Sequence, residues 1–507
     1  MFDIAVAEPG TRLQKFLDCA GLRGFPWKTA TILYTISWGW LLVVHDSLWG
    51  DDWTMYGDHA TFPWRDLGLA PWSSALVRVS HFIGLSSLRG IVFGCFFASA
   101  IILYGISLKF WFIDSLQRRF LILFFLILPF NTARVALFSF FYTISCLLFF
   151  AAWYLLSRGG KCNYYTCLIL FFISFQMHSL LAFHLLPVIH VLLVSNLRNI
   201  RELFLVLRAN FLLVLLPLIY WILRSIFWPE KIQYHDVSLS SATSILPFVL
   251  LVLLVCGSMG ILQKRTNPVV KRKILIVLSG FAALAAGSLA YVIYGYFQTD
   301  WSIFSQNVIT LLGRSDWYSR HQTLQPLGTA LLIIGIVGLL PNFIARFAKQ
   351  VQTFILVVCV VFNIGFGFEY VVDHSKQKEV IGVLKEEGES ELGSNYQFVD
   401  QTTLLNARGR AYRERDWKGL IWLAYGVESM QLSRVATMCE FPNKARLVLI
   451  QGPETHWEAL KNWVSDGDMG FKVTVDDAPG ACKPEMVTSE GVSGTIPILF
   501  YFTGAKG

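Results

Sequence analysis

The sequence predicts a mainly α-helical, polytopic membrane protein with a small α/β domain at its C-terminal end. Three observations carry that prediction. The 507 residues are 55% AVILMFWYC and only 15% charged, with 41 phenylalanines. That little charge does not cover the surface of a soluble enzyme of this size. The apolar residues are also clustered: runs at 120–129, 135–156 and 245–261 approach or reach the roughly 20 residues a bilayer span needs. Past residue 372 the composition changes sharply. The stretch 373–507 holds 15 Lys/Arg and 19 Asp/Glu. The same values exclude a disordered chain, a collagen-like repeat and a disulfide-dense secreted scaffold.

Hydrophobic patterning places about eleven helices, near 29–46, 88–108, 119–130, 133–157, 164–178, 180–195, 203–223, 245–263, 273–296, 327–345 and 351–372. The pair 119–130 and 133–157 reads as a hairpin. Arg118 and Arg119 precede it and Arg158 and Lys161 follow it, so both basic clusters belong on one side. With residues 1–28 in the cytoplasm, the inner segments hold 19 Lys/Arg and the longer outer connections seven. This bias sets the N-terminus inside and 373–507 outside. It also accounts for most of the net charge of +8, which therefore does not point to nucleic acid. The first apolar segment has no small-residue cleavage site after it and reads as an uncleaved span. Asn-x-Ser/Thr sequons are absent from the sequence, which favours a bacterial inner membrane.

The outer tail reads as a small α/β domain. A helix is expected at 378–389, strands at 446–450 and 471–475, a helix at 455–464 and a closing strand at 496–502. Cys439 and Cys482 lie in this tail, and in an oxidising compartment they are candidates for a disulfide. The tail carries no phosphate loop, nucleophile elbow or metal-ligand spacing, so a packing or acceptor-guiding role suits it.

The chemistry is expected on the outer side. The first outer loop is about forty residues long and reads Trp49-Gly50-Asp51-Asp52-Trp53, followed by Tyr56, Asp58 and His59. Paired carboxylates just past a span are costly unless solvated, paired or used. Asp51 or Asp52 suits a general base, because a neighbouring carboxylate raises one pKa. The competing reading is a solvated turn at Gly50. The flanking tryptophans either anchor at the headgroups or stack on a sugar face. The second connection offers Asn131 and Arg134, and the third His178, with His184 beyond it. These histidines either hydrogen-bond a substrate or are satisfied within the core. The last loop reads Gly313-Arg314-Ser315-Asp316-Trp317-Tyr318-Ser319-Arg320-His321. Guanidinium groups match phosphate oxygens bidentately, so this loop reads as a clamp for a lipid phosphate, or else as plain headgroup contacts.

Together, residues 29–372 resemble the GT-C superfamily of integral-membrane glycosyltransferases. The resemblance rests on the number of spans, the long first outer loop with Asp51-Asp52, and the outer C-terminal domain. It implies transfer of a sugar from a polyprenyl-phosphate donor to an extracytoplasmic glycan or lipid acceptor, in contact with membrane lipids. An acidic residue of the first loop serves as base or acceptor-orienting group in that family, and Asp51 or Asp52 matches its position. Family members with diphosphate donors often hold a metal on acidic residues of later loops. The second connection here has no carboxylate, so a metal-independent enzyme without cofactor is expected. Arg134, Arg314, Arg320 and His321 are then the expected donor-phosphate contacts, and Trp53, Asp58, His59, His178 and Asp316 the substrate contacts. Direct displacement by the deprotonated acceptor inverts the anomeric carbon. Two alternatives stand beside this reading: a polysaccharide polymerase or ligase with a lipid-diphosphate donor, and a transporter or flippase, which would need polar groups at mid-bilayer.

Overall fold

The computed structural model describes residues 24–49, 52, 70–136, 139–195, 200–229, 268–293, 322–340, 347–387, 395–407, 412, 414–425, 430–434, 445–477 and 500–504. The chain divides into two compact units. The first comprises Met1–Gly39, Pro63–Val135 and Ser139–Ile364, and the second Trp40–Phe62, Ala136–Phe138 and Gly365–Gly507.

The first unit is helical. In chain order it contains α1 (Trp27–Trp38), then α3 (Pro71–Ile83), α4 (Leu85–Ser107), α5 (Ser115–Ile127), α6 (Ser139–Arg158) and α7 (Lys161–Ser174). It continues with α8 (Ser179–Phe183), α9 (Leu185–Val194), α10 (Ile200–Ala209), α11 (Phe211–Phe227), α12 (Pro268–Ile293), α13 (Gln325–Leu339) and the start of α14 (Ala348–Glu387). The short α2 (Trp40–Val43) opens the second unit.

Helix α5 starts where Asp114 and Gln117 cap each other reciprocally: the Gln117 N–H donates to Asp114 Oδ1 at 2.8 Å, and the Asp114 N–H to Gln117 Oε1 at 3.0 Å. It ends just before Pro129, and every residue from Phe120 to Ile127 is buried. Tyr34 of α1 packs 4.4 Å from Phe93 of α4, and Phe96 of α4 stacks on Phe125 of α5 at 5.1 Å. Helices α12 and α13 approach so closely that a Cβ on Gly328 would lie 2.5 Å from the Leu284 backbone nitrogen. Small residues at such a contact let two backbones meet without side chains between them.

Among the described residues three helical segments are long and apolar enough to cross a membrane: Ser87–Ser107, Ser139–Arg158 and Ala348–Glu387. A fourth results if Arg201–Ala209 and Phe211–Phe227, bent by 57°, count as one broken span. About eleven spans were expected, several of them short; among the described residues three or four meet the full length. Ten of the expected segments coincide with helices; the segment 245–263 lies outside the described residues. Several of the ten are short or interrupted. Helix α1 stops before Gly39, α5 has 13 residues, α7 has 14, and the chain breaks at His184 between α8 and α9. Fourteen residues rise about 21 Å, less than the roughly 30 Å of a bilayer core. Helix α3 was not expected, because its residues read as part of the long first outer loop; it is amphipathic.

The second unit combines 40–49, Asp52, the later part of α14 and the tail. Its sheet has five strands in the order β2-β5-β1-β3-β4. They are β1 (Asn395–Asp400), β2 (Met430–Arg434), β3 (Ala445–Gln451), β4 (Lys472–Asp477) and β5 (Phe500–Gly504). β1 and β3 pair in parallel, with Phe398 opposite Val448; the other pairings are antiparallel. A parallel pair needs a crossover, and α15 (Glu414–Tyr425) lies within it, stacking Trp417 on Phe398 at 4.4 Å. Helix α16 (His456–Asp466) starts at the Thr455 cap and ends at Gly467, whose φ of 76° closes it in the left-handed region.

The expected helix at 378–389 is no separate element. It continues α14, which at 40 residues is about 60 Å long. No proline interrupts the stretch after Val372, so nothing stops the helix where its composition turns polar. Val372 packs into the tail's own core with Leu405, Ala459, Met469 and Phe471.

Candidate functional site

In the second unit, the segment after α2 is laid against one face of α14. Trp40 stacks on Tyr370 with centroids 5.0 Å apart. A side chain at Gly367 would occupy the space of the Trp40 ring. Gln377 clasps Leu48 on both sides: its Oε1 accepts the Leu48 N–H at 3.3 Å and its amide donates to the Leu48 carbonyl at 3.2 Å. Ser47 hydrogen-bonds His374, whose other ring nitrogen lies 3.5 Å from Asp46. Residues 373, 374, 376 and 377 recur at helical spacing on one face, which is why they share these partners.

Asp373 is the centre of this arrangement. It is 1% exposed and accepts the Trp49 indole N–H at 2.9 Å, the Ala407 N–H at 3.1 Å and the Tyr412 hydroxyl. Burial, with the Asp373 carboxylate beside it, pushes the Tyr412 phenol well above the usual tyrosine range. One turn on, the Lys376 ammonium donates to Asp400 at 2.9 Å and to Asn406, and lies 4.5 Å from the centre of the Tyr412 ring. Asp400 also accepts the Thr402 N–H and hydroxyl, at 2.9 and 2.8 Å. A buried ion pair survives where further hydrogen bonds satisfy its remaining lone pairs, as they do here.

Asp52 ends the anchored segment. It is fully buried, and its Oδ2 accepts the Trp49 N–H at 3.1 Å while its own N–H donates to the Trp49 carbonyl at 3.2 Å. One carboxylate of the expected pair therefore holds a tight turn at the end of the anchored segment. Asp51, Trp53, Asp58 and His59 lie outside the described residues, as do Arg314, Asp316, Arg320, His321, Cys439 and Cys482.

In the first unit, the bend between α5 and α6 carries Arg134. Its guanidinium lies 3.7 Å from the centre of the Trp38 ring and 4.1 Å from that of Phe96. Nε donates to the Asn131 carbonyl at 3.2 Å and Nη2 to the Phe130 carbonyl at 3.1 Å, while Nη1 is buried without a hydrogen bond. Two of the donors of Arg134, an expected donor-phosphate contact, thus brace its own bend. The same bend reaches the end of the cationic loop, where the Asn131 amide donates to Thr323 Oγ1 at 2.9 Å.

His178 occupies a second corner of the first unit. Its ring lies 6.4 Å from Tyr220, which lies 6.3 Å from Trp228, and Trp228 packs edge-on to Trp72 at 6.0 Å. Arg224 lies one turn after Tyr220 on α11, which ends just before Trp228, and its charge is felt at His178. Trp72 and Ser73 of α3 hydrogen-bond Ile173 and Gln176, at 3.3 and 3.0 Å. His184 has a packing role: its Nε2 lies 2.9 Å from the Leu213 carbonyl and its ring is edge-on to Phe171.

Sequence reasoning missed Asp373, Tyr412, Lys376, Asp400 and the stripe of Tyr220, Arg224 and Trp228. The stripe had a signal: polar or amphipathic residues at i, i+4 and i+8 beside an apolar run. Tyr412 and Asp400 had none, since only the fold brings them to α14. Comparison of the chain with protein-family models, with curated proteins and with solved structures found no match.

Proposed function

We propose that this chain is a membrane glycosyltransferase that takes a sugar from a polyprenyl-phosphate donor and passes it to an extracytoplasmic glycan or lipid acceptor. The hydrogen bond from Asn131 to Thr323 carries the proposal. It joins the second outer connection to the last residues of the loop that contains Arg314, Arg320 and His321, two segments that the charge pattern assigns to one side. Other contacts respect the same division. Trp72 meets Ile173, both from expected outer ends, while Lys271 and Arg272 lie 5.8 and 6.0 Å from the Trp111 ring, all in expected inner segments. In this proposal the N-terminus is cytoplasmic, the tail is outside, and the membrane is a bacterial inner membrane.

Asp51 and Asp52 divide the work. Asp52, buried and bonded to Trp49, orients the loop. Asp51 takes the proton from the acceptor hydroxyl as that oxygen attacks the anomeric carbon, and the bond to the lipid phosphate breaks with inversion. Arg314 and Arg320 stabilise the charge that grows on the departing phosphate, with His321 beside them. Arg134 acts as a positioning residue for the bend.

The test is sugar transfer by the purified chain in vesicles that contain a polyprenyl-phosphate-linked radiolabelled sugar. Asp51→Asn keeps the shape and removes the base, so the rate is expected to fall roughly 10²–10⁴-fold. Full transfer by both Asp51→Asn and Asp52→Asn would overturn the mechanism. Mass spectrometry of lipids that co-purify with the chain tests the donor class directly.

A further inference from the structure

Helices α4, α5, α6, α9, α12 and α13 of the first unit surround a cleft with about 570 Å³ of space, within the roughly 300–1,000 Å³ of small-molecule sites. Its wall is apolar, with Leu103, Leu121, Leu327 and Leu331 at one end and Phe110 and Phe112 at the other. The few polar side chains on it include Ser279 and Ser107, whose hydroxyl donates to the Tyr104 carbonyl at 2.7 Å. His190 is the informative one. The Trp153 indole N–H, which can only donate, meets His190 Nδ1 at 2.6 Å. Nδ1 is therefore the acceptor, and the ring proton sits on Nε2. Among the described residues no acceptor meets that Nε2–H, although His190 is buried and lines the cleft. A buried donor without an acceptor is costly, which favours an occupant that brings one.

The end of the cleft near His190 is cationic. Phe110 packs 4.8 Å from the His190 ring, and the connection that holds it also carries Lys109 and Trp111. The Trp111 ring is edge-on to Phe112 at 5.8 Å, with the Lys271 ammonium 5.8 Å and the Arg272 guanidinium 6.0 Å from its centre. Among the described residues none of these three cations forms an ion pair with a carboxylate. Asp114, the acid of the same connection, caps α5.

We propose that this cleft holds one acyl chain of an anionic phospholipid. The chain fills the apolar wall, the ester carbonyl accepts the His190 Nε2–H, and the phosphate lies among Lys109, Lys271 and Arg272. Basic residues around a gap between membrane helices suit such a headgroup, and a cleft this apolar suits its chain. The site uses none of the residues assigned to sugar transfer and stands whether or not the chain transfers sugar.

Full-length protein in detergent is melted alone and with phosphatidylglycerol, phosphatidylcholine or glycerol 3-phosphate. These probes supply anion with chain, chain without net charge, and anion without chain. Only phosphatidylglycerol is expected to raise the wild-type melting temperature strongly. Ala283→Phe fills the cleft and leaves the cations in place, and is expected to lose that stabilisation. Lys271→Gln with Arg272→Gln is expected to weaken phosphatidylglycerol binding roughly tenfold or more. Equal stabilisation of the wild type by phosphatidylcholine, or by glycerol 3-phosphate, overturns the proposal. So does undiminished stabilisation of Ala283→Phe, which would mean that lipid only coats the basic surface. A second measurement needs no variant: phosphatidylglycerol with a photoreactive group midway along one acyl chain is cross-linked to the wild type. Label on Leu103, Leu121, Leu327 or Leu331 supports the site. Label confined to outward-facing residues such as Phe204 and Phe354 overturns it.

Discussion

The Trp49 indole N–H donates to Asp373 at 2.9 Å, which ties the segment ending in Asp52 to the end of the apolar run of α14. Three donors converge on that one carboxylate. Its loss therefore exposes the energetics of the whole anchor.

Replacing Asp373 by Ala leaves the Trp49, Ala407 and Tyr412 donors buried without an acceptor. The second unit is expected to lose about 3 kcal/mol or more. Asp373→Asn keeps one acceptor oxygen and loses less. Thermal melts and limited proteolysis of the tail measure both, and an Ala variant as stable as wild type would remove the anchor role.

Lys376 and Asp400 form an ion pair whose side chains are 0% and 6% exposed. Lys376→Met strands the carboxylate, at an expected cost of roughly 3–5 kcal/mol. Adding Asp400→Asn relieves part of that cost, so the double variant is expected to be more stable than the sum of the single effects. Additive losses would show that the two charges do not interact.

Arg134→Lys keeps the charge but loses the planar fork that reaches two carbonyls and lies against Trp38. A loss of roughly 1–3 kcal/mol is expected, read as a lower melting temperature in detergent. An unchanged melt would mean that the bend holds itself.

Tyr412 is kept neutral in the fold, with its pKa raised above the usual tyrosine value. Its contribution to stability is full below the unfolded pKa of about 10 and is lost as pH rises through the higher folded value. The wild-type tail is therefore expected to loosen in alkali, and Tyr412→Phe to show a shallower dependence there. Stability against pH, followed by the proteolysis rate of the tail, checks this; equal slopes would count against it.

Orientation is tested in sealed cells. Protease added outside is expected to digest 373–507, and to reach 264–273 only after the membrane is opened. Protection of the tail in intact cells reverses the topology and every role that depends on it.

Much of this protein was legible from local pattern. Apolar runs located ten of the described helical segments, and the strands read at 446–450, 471–475 and 496–502 overlap β3, β4 and β5. Strand β1 was missed because Asn395-Tyr396-Gln397 reads as polar loop, yet it sits between β5 and β3. Helix α3 was missed for a similar reason.

The sequence by itself determined that the chain is helical and apolar enough to enter a membrane, which of its segments carry basic charge, and where a polar domain begins. Those properties depend on residues close together in the chain, through helical periodicity and transfer free energy. Only the tertiary structure decided what Asp52, Arg134 and His178 touch, that the last apolar helix runs on unbroken into the tail, and that Asp373 and Lys376 are buried there. The partners of Asp373 and Lys376 lie 24 to 324 residues away in sequence. A buried charge is tolerated only where the fold delivers a counter-charge or a donor to it. No local pattern records where a chain will bring such a distant partner.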